Sequence, residues 1–268
     1  MIKREIQNSI LADFKRKKVI VLLGARQVGK TTLLLSLQSD KERVLSLNCD
    51  NIDDRLLLEA RTSTELKYLL SSYDMAFIDE AQRVKNIGLT LKMIGDLKLD
   101  TQIVVTGSSS FDMANEINEP ATGRLIEYNL YPFSLAELAA DTSEREEKRL
   151  LENRLIYGLY PEVVTEPADA KRTLMSLTNN YLYKDLFSYK GLKKPDVIQK
   201  LVRALALQLG SEVSYNELSN LLGIDKETVE NYICLLEKCF VVFRLDSFSR
   251  NLRNEIKKGK KIYFYDNG

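Results

Sequence analysis

The chain has 268 residues, enough for two domains or one large domain with an appendage, and its 44% hydrophobic and 29% charged residues describe an ordinary globular protein. Histidine is absent, which excludes imidazole acid–base chemistry, His-based triads and His zinc sites, and the net charge of +1 gives no global nucleic-acid footprint. No apolar run approaches the ~20 residues of a membrane span, and the start Met1-Ile2-Lys3-Arg4-Glu5 carries no apolar signal core.

In chain order, Val19–Leu23 is β-rich and unbroken, as expected of a strand buried in a parallel sheet. The following Gly24-Ala25-Arg26-Gln27-Val28-Gly29-Lys30-Thr31 leads into Thr32-Leu33-Leu34-Leu35-Ser36-Leu37, which opens a helix. A second strand is predicted over Arg43–Leu47, closed by the turn-prone Asn48-Cys49-Asp50-Asn51. Leu56, Leu57, Leu66, Leu69 and Leu70 recur at helical spacing and predict two short helices between Ile52 and Leu70. Strands follow at Met75–Ile78, Thr101–Thr106 and Leu125–Leu130, with a helix around Ile87–Leu97. Strands alternating with helices over ~130 residues predict an α/β fold, a doubly wound parallel sheet covered on both faces. From Leu135 to Leu207 the periodicity is helical only, with turn signals at Gly158, Tyr160-Pro161, Glu166-Pro167, Gly191 and Pro195; a helical lid is expected there. Beyond it come helices Leu201–Leu209, Tyr215–Leu222 (capped by Ser214, with Glu217 three residues on) and Glu227–Lys238 (capped by Asp225), then strands Phe240–Leu245 and Lys261–Tyr265. The expected division is a sheet-bearing core over 1–132, a helical lid over 133–194 and a helix-and-strand segment over 195–268. Cys49, Cys234 and Cys239 show no C-x-x-C spacing and read as free thiols in a reducing cytosol, so a cytoplasmic location is expected.

The chemistry concentrates at strand ends. Gly24–Thr31 matches G-x-x-x-x-G-K-[ST] between a strand and a helix, where glycines admit close backbone approach and the first helical N–H groups point at phosphates. Gly24, Ala25, Arg26, Gln27, Val28, Gly29, Lys30, Thr31 and Thr32 are therefore candidate nucleotide-binding residues. Lys30 would reach the β/γ-phosphates and Thr31 would enter a Mg²⁺ shell otherwise filled by water and phosphate oxygens; Arg26 either touches phosphate or faces water. Met75–Ile78 carries Asp79 to its C-terminal edge as a second Mg²⁺ ligand, and Glu80 is placed to orient or deprotonate the attacking water. Thr101–Thr106 is expected between these two strands, with Thr106 or Ser108 at its end sensing the γ-phosphate or serving as loop chemistry only. Arg124, after Gly123, is a candidate for neutralising transition-state charge within its own subunit or in a neighbour, or caps a turn.

These segments resemble a known family. Gly24–Leu34, Phe77-Ile78-Asp79-Glu80-Ala81-Gln82, Thr106-Gly107-Ser108-Ser109-Ser110, Gly123-Arg124, Tyr131-Pro132-Phe133-Ser134, Gly158-Leu159-Tyr160-Pro161-Glu162-Val163-Val164, Tyr181-Leu182-Tyr183-Lys184-Asp185-Leu186 and Tyr263-Phe264-Tyr265-Asp266 occur in that order. Together they look like the prokaryotic AAA-type ATPases that carry a winged-helix segment and a C-terminal nuclease-like domain of unknown function. The resemblance implies an ATPase core, a lid and a winged helix. It gives ATP and Mg²⁺ as cofactors, with Lys30, Thr31, Asp79 and Glu80 in the binding and catalytic roles and Ser108 and Arg124 as sensor or finger. This chain stops at Gly268, where that family continues, so no nuclease activity is expected of it.

The expected function is a nucleotide-driven conformational switch that hydrolyses ATP and acts on a protein client or by self-association. The alternative is a DNA-binding regulator that ATP gates with little turnover. Helices Tyr215–Leu222 and Glu227–Lys238 have helix-turn-helix spacing across Gly223. The second of them, however, carries Glu227, Glu230 and Glu237 against Lys226 and Lys238, a poor phosphate-facing surface. The stretch Arg250–Lys261, with Arg250, Arg253, Lys257, Lys258, Lys260 and Lys261 against Glu255, is the candidate DNA contact; a structural or protein-docking role is its rival.

Overall fold

Val19–Leu23 (β1) is buried at every position, and it earns that placement by being apolar on both faces. A computed structural model describes residues 1–38, 43–108, 123–182, 195–246 and 260–268. The chain divides into two compact units, Met1–Glu152 and Asn153–Gly268.

In the first unit, β1, Val44–Asn48 (β2), Met75–Asp79 (β3), Gln102–Gly107 (β4) and Leu125–Asn129 (β5) form a sheet in the order β2-β3-β4-β1-β5, and the paired strands are all parallel. β4 thus separates the P-loop strand from the acidic strand, as the sequence led one to expect. The register sets Leu23 beside both Gly107 and Asn129, so the C-terminal ends of β1, β4 and β5 are level. Ile20, Val21, Leu22, Ala76, Ile78, Val104 and Val105 are fully enclosed, and burial of a Val, Leu or Ile side chain contributes about 1.5–3 kcal/mol each.

The helices of this unit are Ile6–Asp13 (α1), Lys30–Leu37 (α2), Ile52–Leu56 (α3), Ser63–Leu70 (α4), Ile87–Leu97 (α5), Leu135–Asp141 (α6) and Glu144–Arg149 (α7). Local chemistry starts several of them: Asn51 caps α3, Thr62 and Glu65 form a capping box on α4, and Ser134 and Glu137 form one on α6. Helix α1 went unread in the sequence because only Ile10 of its eight residues is buried, which leaves little periodicity to detect. Leu151–Tyr157 (α8) spans the boundary between the units.

The second unit contains Pro161–Thr165 (α9), Ala170–Ser176 (α10), Pro195–Leu207 (α11), Glu212–Val213 (β6), Tyr215–Leu222 (α12), Lys226–Lys238 (α13), Val242–Leu245 (β7) and Lys260–Phe264 (β8). Strands β6, β8 and β7 make a small antiparallel sheet in that order. The predicted caps are in place: Ser214 accepts from Glu217 N, Asp225 accepts from Thr228 N, and Gly223 ends α12 in the left-handed conformation. Ile198, Leu201, Leu218, Val229, Ile233, Leu236, Val242 and Ile262 form its buried apolar set. The two-residue β6 was too short to signal itself. Tyr183–Leu186, Gly191, Ser109, Ser110 and the basic residues Arg250, Arg253, Lys257 and Lys258 lie outside the described residues.

Candidate active site

The loop after β1 is built by close backbone approach. Gly24 N donates to Gly107 O at 3.3 Å and Leu130 N donates to Leu23 O at 2.7 Å, so the chain leaves the sheet pinned on both sides. A Cβ at Gly24 would stand 2.3 Å from the Leu130 carbonyl oxygen, which is why this position is glycine. Gln27 (φ 62°) and Gly29 (φ 91°) are left-handed and turn the chain into α2, where Leu33 N donates to Gly29 O at 2.9 Å. The amides that open α2 lie in the first turn of the helix, where backbone N–H groups lack intrahelical acceptors and favour anions.

Lys30 is only 5% exposed, and its ammonium donates to the carbonyl oxygens of Gly24 and Ala25, both at 2.9 Å. A cation is thereby held within the loop, close to the helix start. Val28 is fully buried, Arg26 is half-buried, and Thr31 and Thr32 are exposed at the head of α2.

Across the sheet, Thr31 Oγ1 donates to Asp79 Oδ2 at 2.8 Å. Residues 48 positions apart, on α2 and β3, therefore meet above the intervening β4. Asp79 Oδ1 accepts from the Thr106 hydroxyl and from Glu80 N at 3.2 Å. Glu80 has left a strand geometry for the left-handed region (φ 53°), and its amide also donates to Thr106 Oγ1 at 3.1 Å. A non-glycine residue held there stores about 1–3 kcal/mol of strain, the kind of outlier that clusters at active sites. Its side chain accepts from Gln82 Nε2 at 2.5 Å, and the same nitrogen donates to Ser108 Oγ at 2.8 Å. Thr106 and Ser108 are both buried, so the tip of the middle strand carries two hydroxyls, one bonded to Asp79 and one to Gln82.

A hydroxyl and a carboxylate 2.8 Å apart are hard oxygen donors that suit Mg²⁺. Among the described residues no three carboxylate, thiol or imidazole groups gather into a metal cage. The site thus fits a cation that keeps most of its shell as water and phosphate oxygen. Cys49, beside this edge, donates its backbone N–H to Asp79 O at 2.9 Å. Burial, reinforced by Asp54 and Asp79, pushes its thiol up to about 12, so it stays protonated and unreactive.

Arg124 is not brought to this cluster. It precedes β5, and its carbonyl accepts from Val19 N at 3.2 Å at the start of β1, one strand length from the P-loop. Its guanidinium bonds Asp96 near the end of α5. Arg124, the candidate for neutralising charge in its own subunit or a neighbour or for capping a turn, thus sits at the opposite strand end from the P-loop, on Asp96. Parallel strands put residues at their starts and ends on opposite edges, and Gly123-Arg124 falls at a start.

Two residues of the site were not assigned roles from the sequence. Arg4, 8% exposed, donates Nη1 to Val28 O inside the P-loop at 2.9 Å, Nη2 to Tyr131 O at 2.5 Å, and Nε to Glu137 Oε1 at 3.0 Å. It also lies over the Phe133 ring, 4.7 Å from its centroid. Glu137 completes the lock by accepting from Glu5 N at 2.8 Å and from Ser134 N at 3.0 Å. One arginine before α1 thus fastens the loop to the chain leaving β5. The other is Gln82, which the sequence offered only as part of a motif.

Among the described residues no helix is long and apolar enough to cross a membrane. Residues 16–139 match the AAA domain family, and residues 148–268 match a domain of unknown function, DUF8612. The chain is 27% identical over its whole length to an uncharacterized protein of Haemophilus influenzae, and spans 72% of that protein. It is 25% identical over 98% of its length to an uncharacterized protein of Methanocaldococcus jannaschii, covering 63% of it, and 24% identical to one of Mycobacterium tuberculosis, covering 58%. Among solved structures it is similar to the Walker-type ATPase of Pyrococcus abyssi, with a TM-score of 0.66 and 14% identity over 99% of this chain and 94% of that one. The first unit has the fold of a P-loop nucleotide-binding ATPase of the AAA type.

Proposed function

We propose that the chain is a Mg²⁺-dependent ATPase that works as a nucleotide-driven conformational switch. The observation that carries this reading is the Thr31–Asp79 hydrogen bond, which joins the P-loop helix to the acidic strand tip, one residue along from the buried Lys30. Lys30 and the amides of α2 would bind the triphosphate, while Thr31 and Asp79 would hold the cation. Held by Thr31 and Asp79, Mg²⁺ would supply neutralisation of the phosphate charge. Glu80 would accept the proton of the water that attacks the γ-phosphorus, with ADP and phosphate as products. Ser108, bonded to Gln82 in the same cluster, would meet a γ-phosphate oxygen.

In this reading the run of helix, strand, two helices and two strands in the second unit would be the winged helix, and the helices before it would serve as the lid. DNA binding is the weaker reading: on α13, Glu237 is committed to Arg244, at 2.5 Å, while Glu227 and Glu230 remain on the helix that would read bases. The client is more simply a protein, or a second copy of the chain. Duplex binding that weakens steeply with salt and responds to Lys260→Ala and Lys261→Ala would favour DNA instead.

The deciding assay is Mg²⁺-dependent phosphate release from wild type and Glu80→Gln. A general base contributes about 10²–10⁴-fold, so the variant is expected to fall by at least two orders of magnitude. Equal release from both removes Glu80 from the chemistry.

A further inference from the structure

Gln82 stands two residues beyond Glu80 in the short 3-10 turn Ala81–Arg83. Its amide nitrogen bridges Glu80 Oε2 (2.5 Å) and Ser108 Oγ (2.8 Å), and so links the end of β3 to the end of β4. The orientation of that amide follows from chemistry: turned over, its carbonyl would face an ionised carboxylate with no proton between them. Both N–H groups are then spent, and Gln82 Oε1 is left buried with no hydrogen-bond partner among the described residues. An enclosed acceptor without a donor costs about 1–3 kcal/mol. A side chain that is neither fully satisfied nor solvated is therefore kept where it is by the two bonds of its nitrogen.

We infer that Gln82 is a positioning residue for hydrolysis, tying the Glu80 carboxylate to Ser108 so that the water-activating group and the γ-phosphate-facing group are set together. The inference rests on the ATPase reading given above. Because Ser108 accepts from Gln82, its hydroxyl keeps its own proton for an anionic oxygen. A terminal phosphate that draws on Ser108 thereby acts, through the amide, on the carboxylate. ADP lacks that phosphate and leaves the bridge as it stands.

The test is single-turnover ATP hydrolysis in a four-variant cycle of wild type, Gln82→Leu, Glu80→Gln and the double variant, with nucleotide affinity measured in parallel. Gln82→Leu preserves bulk and removes both bonds. Its hydrolysis rate is expected to fall about tenfold or more, while ATP affinity stays within about twofold, since the lost contact acts on the reacting geometry and not on binding. In the Glu80→Gln background the same substitution is expected to cause no further loss, because no carboxylate remains to be positioned. Gln82→Asn keeps the amide but is one methylene too short to span both partners, so an intermediate rate is expected and guards against a folding defect in the leucine variant. Equal fold losses in both backgrounds, or weakened ATP binding with an unchanged rate, overturn the inference. Lys30→Ala separates the two failures: ATP binding that survives it brings down the underlying reading, whereas loss of binding there, together with additive Gln82 effects, brings down only the role of Gln82.

Discussion

The two edges of the parallel sheet carry similar residue types arranged to opposite ends. At the starts of the strands, Lys17 pairs with Asp100 (2.5 Å), Arg43 with Asp74 (3.1 Å) and Arg124 with Asp96, all largely in solvent. At their ends, Lys30, Thr106 and Ser108 are buried, and the acids are met by hydroxyl, side-chain amide and backbone N–H groups. Exposed ion pairs trade one set of water contacts for another and lose strength with salt. Buried polar groups act in a low dielectric, where each partner matters and a new charge is strongly felt. The same sheet therefore has one edge that is merely solvated and one that is prepared for a ligand.

The sharpest way to break this contrast is to cut one group from each edge. Asp79→Asn is expected to lower Mg²⁺-dependent phosphate release by about 10²-fold or more, in line with the loss of a preorganised electrostatic group. Arg124→Ala is expected to leave the rate within about twofold, because an exposed pair away from the chemistry contributes little. Comparable losses from both substitutions, followed by phosphate release across protein concentrations, would mean that a neighbouring subunit brings the far edge into the site.

Stability should divide in the same manner. Arg4→Ala strips a buried guanidinium from Glu137 and from the Val28 carbonyl. Breaking such a pair costs about 3–5 kcal/mol, so the melting temperature should drop by about 10 °C. A change of only a degree or two would show that the P-loop does not depend on this fastening. Gly158→Ala probes the second unit: at φ 75° its Cβ would stand 1.9 Å from Asp266 Oδ1, and a loss of about 1–3 kcal/mol is expected by denaturant unfolding.

The smallest effects are in pH. Hydrogen bonds from Arg43 hold the Asp74 carboxyl below its ordinary value, so its contribution is present above about pH 4 and is lost as pH falls through its folded pKa. Asp266 has the opposite sign. Burial raises its carboxyl despite hydrogen bonds from Leu159 N and Gly268 N, so stability declines as pH climbs from about 4 through the raised value. Melting curves between pH 3 and 7 should lose the first slope in Asp74→Asn and the second in Asp266→Asn.

Much of this was legible in the sequence. An unbroken apolar run next to glycines identified β1 and the loop, and the acids ending Met75–Asp79 were placed by the strand that carries them. Strand β4 between them followed from the order of elements. Arg4 was illegible because its partners lie 24 to 133 positions away and its helix shows almost no apolar period. The place of Arg124 was not legible because a Gly-Arg pair gives no sign of which strand end it occupies. Gln82 was visible as a letter of a motif, but the bond to Ser108 depends on the β3–β4 register.

Equilibrium binding of ATP with Mg²⁺, read as a rise in melting temperature for wild type and Lys30→Ala, tests the central claim most directly. At about 100 times Kd the ligand should stabilise wild type by about 2.7 kcal/mol, and the variant should show no rise. A wild type indifferent to ATP, or a variant stabilised as much as wild type, would contradict the assignment of this sheet edge to the triphosphate.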